Sequence, residues 1–199
     1  MSTRILVVYY SSTGNTAGLA GSLAAGAREA GADVRVRTVP ETVPAEAIAR
    51  NPRWQAWVDA GPHHELATLG DLEWADGLAV GSPTRFGGPA AQLKSYLDST
   101  GGLWAQGKLA DKVATSFTTA STAHGGLEST LLAINNVFYH WGAIVVPLGY
   151  TDRTSWSPAT RTAARSCPAS RRRRTASRST PCACRGVGWP RSPRTWRPG

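Results

Sequence analysis

The sequence predicts an α/β domain, a doubly wound, five-stranded parallel sheet in three layers. Two observations predict it. Continuous apolar, β-branched runs alternate with helix-length segments, a pattern that places a parallel sheet between two helical layers. All of these segments fall within residues 1–152 of a 199-residue chain, long enough for one domain with a substantial core.

The first strand is read over Arg4 to Tyr10. Its apolar stretch, Ile5 to Tyr10, is short and has no small-residue cleavage site after it, so it reads as a buried strand and not as a signal peptide. Thr16 to Ala30 follows as a helix closed by Gly31. Asp33 to Val39 alternates with period two, as a half-exposed edge strand does. Residues 40–75 form a long connection expected to hold a short helix and a loop; connections of that length are often functional or cover an interface. Gly77 to Ser82 is the third strand. Pro89 to Ser99 is the next helix, with proline at the first position, where its missing N–H is not needed. Lys112 to Phe117 is the fourth strand, Gly126 to Trp141 the last helix of this part, and Ala143 to Tyr150 the fifth strand.

Composition narrows the function classes. Hydrophobic residues make up 41% of the chain, which excludes a disordered protein. No apolar run approaches the ~18 residues needed to span a bilayer, so no membrane partner is expected and the cytoplasm is the expected compartment. The net charge of +9 is unevenly placed. Residues 1–152 hold 10 Lys and Arg and all 13 Asp and Glu, whereas residues 153–199 hold 12 Arg and no acid. Cys167, Cys182 and Cys184 also lie in the second part, which has Val187 as its single aliphatic branched residue. Two domains of reading follow: 1–152 folded, 153–199 an Arg/Pro/Ser-rich tail that cannot build a core.

In a doubly wound sheet, ligands bind at the carboxyl ends of the strands where the winding reverses. Ser11-Ser12-Thr13-Gly14-Asn15-Thr16 leads from the first strand into the first helix. Its hydroxyls, amide and glycine at a helix N-terminus suit a phosphate. No lysine follows, so it is not a P-loop, and neutral donors of this kind are what a flavin mononucleotide phosphate requires. An ordinary capped turn is the alternative. Gly81 to Pro89 follows the third strand and brings Thr84, Arg85 and Phe86 to the same crevice, the alternative being a surface cation and a core plug. Thr118 to Gly126 follows the fourth strand and supplies a second hydroxyl-rich wall. His124 reads as a solvated loop residue, and His140 as either a helix-terminal cation or a flavin contact. His63 and His64, beside Glu65, lack the further ligands a metal needs and read as solvated, so no metal is expected. Trp104, after Gly101-Gly102, is either a core residue or an aromatic wall.

Taken together, YYSSTGNT, VPETVP, GSPTRFGG, LDSTGGLWAQGKL and HWGAIVVPLGYTD resemble the WrbA family of flavodoxin-like NAD(P)H:quinone oxidoreductases, in order from residue 4 to residue 152. The resemblance implies a flavodoxin-like fold, FMN as cofactor, NAD(P)H as co-substrate, a quinone as acceptor, a ping-pong cycle in one pocket and a homotetramer. No side chain is implied as a catalytic nucleophile. It implies a phosphate cradle at Ser11, Ser12, Thr13, Gly14, Asn15 and Thr16. Contacts to the flavin ring are implied at Pro83, Thr84, Arg85, Phe86 and Gly87, and further contacts at Thr119, Ala120, Ser121, Thr122, Ala123, His124 and His140. Trp104 is implied as the substrate-pocket wall. Thr13 stands where the family often has an aromatic nucleotide contact, so that stacking surface is missing from the loop. The rival function is a flavodoxin-like electron carrier without quinone turnover. Flavodoxins are typically shorter and more acidic and lack the TRFG and TGGLW segments.

The tail has two readings. Arg171 to Arg174 with Trp156, Trp189 and Trp196 would suit nucleic acid. The other is a frameshift in a GC-rich gene: codons chosen for residues 152–163 yield, on restoring one C after the Asp152 codon, the string PDVLVAGDPYG, which resembles what the family carries there. The frameshift is the preferred reading, nucleic acid is not expected as a partner, and a destabilised, inactive product is an expected consequence.

Overall fold

The computed structural model describes residues 2–122 and 124–149. Expectations that fall on the tail, and on Ala123, lie outside the described residues. In chain order the elements are β1 (Arg4–Tyr9), α1 (Asn15–Glu29), β2 (Asp33–Thr38), α2 (Ala45–Ile48), α3 (Pro52–Asp59), α4 (Leu69–Trp74) and β3 (Gly77–Arg85). They continue with β4 (Gly88–Pro89), α5 (Ala91–Asp98), α6 (Gly101–Ala105), β5 (Val113–Thr119), α7 (Leu127–Trp141) and β6 (Ile144–Val145). The main path of the sheet is β2-β1-β3-β5-β6 and every pairing along it is parallel. The chain winds outward from β1 to β2 and then back across β1 to β3, so the switch point lies between β1 and β3.

Period-two alternation sorts each strand between two cores. Leu6, Val8, Leu78 and Val80 face Leu93 and Leu97 of α5 and Ile134 and Phe138 of α7. Ile5, Val7, Ala79 and Phe117 face Leu19, Ala20, Ala24 and Ala27 of α1. Each side chain of this size that is fully removed from water contributes roughly 1.5–3 kcal/mol, which is why these helices stay on the sheet. The small residues of α1 let it lie close. Its C-terminus closes as read, with Gly31 at φ 86 donating its N–H to the Arg28 carbonyl. β2, at the sheet edge, is half-exposed as its alternation predicts.

Four expectations are corrected. Pro89 does not open a helix: it belongs to β4, which pairs antiparallel with Thr84 and Arg85 of β3, and the helix begins at Ala91. Phe86 and Gly87 both take positive φ and turn the chain back on itself, so β3 runs three residues past Ser82 and a sixth, two-residue strand appears off the five-strand path. Residues 40–75 hold three short helices and not one, because Asn51 caps α3 and Thr68 forms a capping box with Asp71. The last strand is limited to Ile144–Val145.

Candidate functional site

The loops after β1, β3 and β5 converge at the carboxyl edge of the sheet, and specific hydrogen bonds bind them together. The Thr16 and Thr119 hydroxyls meet at 2.9 Å, joining the first loop to the third. The Arg85 guanidinium donates to Ser12 Oγ at 2.9 Å, joining the second loop to the first. The Thr130 hydroxyl of α7 lies 2.9 Å from Thr84 Oγ1 and 2.8 Å from the Gly126 carbonyl oxygen, fixing the turn before α7 against β3. There Gly126, at φ 83, and Gly87 approach so closely that a Cβ on Gly126 would stand 2.8 Å from the Gly87 Cα.

Between the loops lies a crevice of about 330 Å³. Ser12, Thr13 and Asn15 line one side, Thr119, Ala120 and Ser121 another, and Pro83, Thr84 and Arg85 its floor. Gly14 is the N-cap of α1 in the left-handed conformation and no side chain caps the helix, which leaves the first-turn N–H groups available to a ligand. No acidic residue lines the crevice. Donors, cations and a helix N-terminus without a carboxylate fit a phosphate monoester, the part of FMN that such a cradle would hold. Phe86, in contrast, is a fully exposed aromatic at φ 52, a conformation bulky residues seldom adopt. It is not among the residues that line the crevice, although Arg85 beside it in the chain is.

Two further lining residues come from the long connection and were not singled out by sequence: Asn51 and Arg53, at the start of α3. The Asn51-Pro52 pair is readable as a helix start, but where that helix packs is decided by distant partners. One is Glu41. Its carboxylate accepts from Gln92, from the Tyr10 hydroxyl, from Trp54 Nε1 and from the amides of Thr42 and Val43. Burial acts to raise the Glu41 carboxyl, yet the hydrogen bonds from Gln92, Tyr10 and the two amides outweigh it and hold the group below the usual carboxylate range. Burial, reinforced by that carboxylate, pushes the Tyr10 phenol well above its ordinary value. The other anchor is Trp57, whose ring lies so close to Gly14 that a Cβ there would be 2.9 Å from Cζ3.

Other expected site residues are not brought to the crevice. Trp104 is 55% exposed and its indole N–H donates to the His140 carbonyl at 2.7 Å. Trp104, on α6, thus lies against the C-terminal end of α7 where His140 sits, about 20 Å along that helix from the turn at Gly126. Thr122 and His124 are exposed and do not line the crevice, Ser11 is buried with its hydroxyl accepting from the Gly14 amide, and Gly87 contacts the α7 turn instead. His63 is exposed, as expected, whereas the expectation that His64 is solvated is corrected. His63 stacks on Trp57 with ring centroids 3.4 Å apart, and His64 Nδ1 shares a 2.8 Å hydrogen bond with the buried Tyr9 hydroxyl. Among the described residues no cluster of His, Cys, Asp and Glu could hold a metal ion. A second hollow, about 410 Å³, runs along the β2 edge beside α1; of the arginines that line it, Arg35 and Arg37 already pair with Asp71 and Glu65. It has no convergent loops.

Residues 3–155 match the model of a family described as NADPH-dependent FMN reductase. A protein of Deinococcus radiodurans named NAD(P)H dehydrogenase (quinone) is 42% identical over 149 residues, 75% of this chain and 74% of the relative. A protein of Paracoccus denitrificans with the same name is 46% identical over 149 residues, 75% of this chain and 69% of that one. Among solved structures, a WrbA-like flavodoxin from Agrobacterium tumefaciens superposes with a TM-score of 0.55 at 28% identity, over 75% of this chain and 80% of that chain. A flavodoxin from an archaeon, at 22% identity and a TM-score of 0.52 over 72% of this chain and 78% of that one, shares the fold.

Proposed function

Because the chain belongs to the NADPH-dependent FMN reductase family, we propose that it is an FMN-dependent oxidoreductase that passes two electrons from NAD(P)H to a quinone. The single observation that carries the reading is the crevice itself. Three loops from the switch-point edge, tied to one another by Thr16–Thr119 and Arg85–Ser12, present donors and no carboxylate.

Bound there, the flavin would supply hydride acceptance and two-electron donation. The chain's own residues would do the rest. Ser12, Thr13 and Asn15, with the first-turn amides of α1, would hold the phosphate. Thr84 is fixed by Thr130 and would keep the β3–β4 turn still beneath the ring. Phe86 would offer an apolar face beside Arg85 and exclude water from one side of a planar substrate. One crevice mouth would serve both substrates in turn, which is the ping-pong order.

A homotetramer in the cytoplasm completes the proposal, and no helix among the described residues is long and apolar enough to cross a membrane. Trp104 fits this assembly: it is exposed at the far end of α7, so its ring would wall a quinone pocket only in a neighbouring subunit.

The test is titration of purified protein with FMN, followed by NADH and NADPH oxidation with benzoquinone as acceptor. Stoichiometric flavin uptake with quinone-dependent oxidation is expected. Flavin uptake without turnover makes the protein an electron carrier, and protein that takes up no flavin defeats the reading.

A further inference from the structure

The cradle was expected to hold its phosphate with neutral donors alone, but α3 adds a cation. We propose that Arg53 is a phosphate-binding residue of this crevice and that α3 is the clasp that carries it, so that the site distinguishes a phosphorylated flavin from the unphosphorylated one largely through this side chain. The inference rests on the flavin reading above.

Four observations carry it. Arg53 and Asn51 line the same crevice as Ser12, Thr13 and Asn15, the hydroxyl and amide wall at the start of α1. Arg53 is exposed and, among the described residues, pairs with no carboxylate. Glu41, the acid built into the base of the same connection, has both oxygens occupied by Gln92, Tyr10, Trp54 and two backbone amides and sits outside the lining. Finally, α3 is fastened down at two points. Trp54 Nε1 donates to Glu41 Oε2 at 3.1 Å, and the Trp57 ring lies against Gly14 in the phosphate loop and stacks on His63. A helix placed this firmly brings its arginine to the crevice at little further entropic cost, and a guanidinium binds a phosphate through charge-assisted, bidentate hydrogen bonds.

The experiment compares FMN with riboflavin, which differ by the phosphate alone, by flavin-fluorescence titration of wild type, Arg53→Gln and Arg53→Lys. Arg53→Gln is expected to raise the FMN Kd by about tenfold and to leave riboflavin within about twofold. Arg53→Lys should recover part of the loss, and added salt should weaken FMN binding more in wild type than in Arg53→Gln. Equal changes for FMN and riboflavin, or none for either, would overturn the proposal by making Arg53 structural or idle. An unchanged FMN-to-riboflavin ratio with a fall in kcat/KM for NADPH relative to NADH would also overturn it, by assigning the arginine to the nucleotide's phosphate. Wild type that binds neither flavin would take down the flavin reading itself, a result separate from all of these.

Discussion

The hydroxyl oxygens of Thr16 and Thr119 stand 2.9 Å apart although 103 positions separate them in the chain. Both residues are buried, Thr16 the more deeply at 1%, so the Thr16 hydroxyl cannot turn to water if Thr119 is lost. Replacing either by valine should destabilise the fold by about 1–2 kcal/mol, because the remaining hydroxyl is left buried without a partner. The double valine variant should cost less than the two single changes together, with a coupling of about 1 kcal/mol in urea unfolding. Additive single effects would show that the contact does not bind the loops.

Glycine is required at one loop and wasteful at another. Gly126 has φ 83, and an added Cβ would meet the Gly87 backbone at 2.8 Å, an atom that cannot swing aside. Gly126→Ala should therefore cost more than about 2 kcal/mol through the left-handed conformation and the backbone clash combined. Gly18 lies exposed in α1 with nothing within 4 Å of its Cβ position, so Gly18→Ala should stabilise the protein by about 0.5–1 kcal/mol. Thermal melts of the two variants give opposite signs if this account holds.

What could be read from sequence follows the range of the forces involved. The strands and the two long helices are written in local periodicity, and the crevice in loop chemistry at a topological switch point, so the sequence itself brings Ser12, Thr84 and Ser121 to one edge. Long-range packing was not legible. Nothing near Arg53 announces that Trp54 finds Glu41, or that Trp57 settles on Gly14. His64 looked solvated because its partner, the Tyr9 hydroxyl, arrives from a strand 55 positions away. Trp104 and His140 were assigned from resemblance to a pocket that, in their own chain, lies at the other end of α7. The turn at Phe86 was hidden for a different reason: a bulky residue at positive φ contradicts its local preference.

Glu41 should give the protein an acid-sensitive hinge. Its carboxyl is held below the usual range, so in the folded state it stays ionised where the unfolded chain would already protonate. The stability it adds is complete above the ordinary carboxylate pKa and is lost as pH falls through the lower, folded value. Wild type should therefore exceed Glu41→Gln in stability by a constant margin above about pH 5, and the margin should shrink below about pH 4. Taking the difference between the two proteins cancels His64, whose imidazole is held below its ordinary value by burial and then by His63, Arg28 and Arg37, and which adds its own loss as pH falls below about 6.5. A margin that does not change with pH would mean Glu41 acts through packing alone.

Replacing the residues after Asp152 by a continuation that opens PDVLVAGDPYG should raise both stability and flavin content. On the α1 side of the sheet, Val113 and Thr115 share a face with Phe117; Val113 pairs in register with Ile144, which is 52% exposed. Among the described residues α1 is the helix on that side, and it lies chiefly over β1, β2 and β3, leaving the β5–β6 end of the face thinly covered. An apolar face left in water forfeits about 25 cal/mol for each Å² that could be buried. The string PDVLVAGDPYG supplies aliphatic residues where the present tail has Val187 as its single one of that kind, so that continuation has the composition to build a cover. Soluble yield, thermal midpoint and bound FMN per chain, measured for the two proteins side by side, should all rise in the form with that continuation. Equal values in all three would show that the sheet face needs no cover.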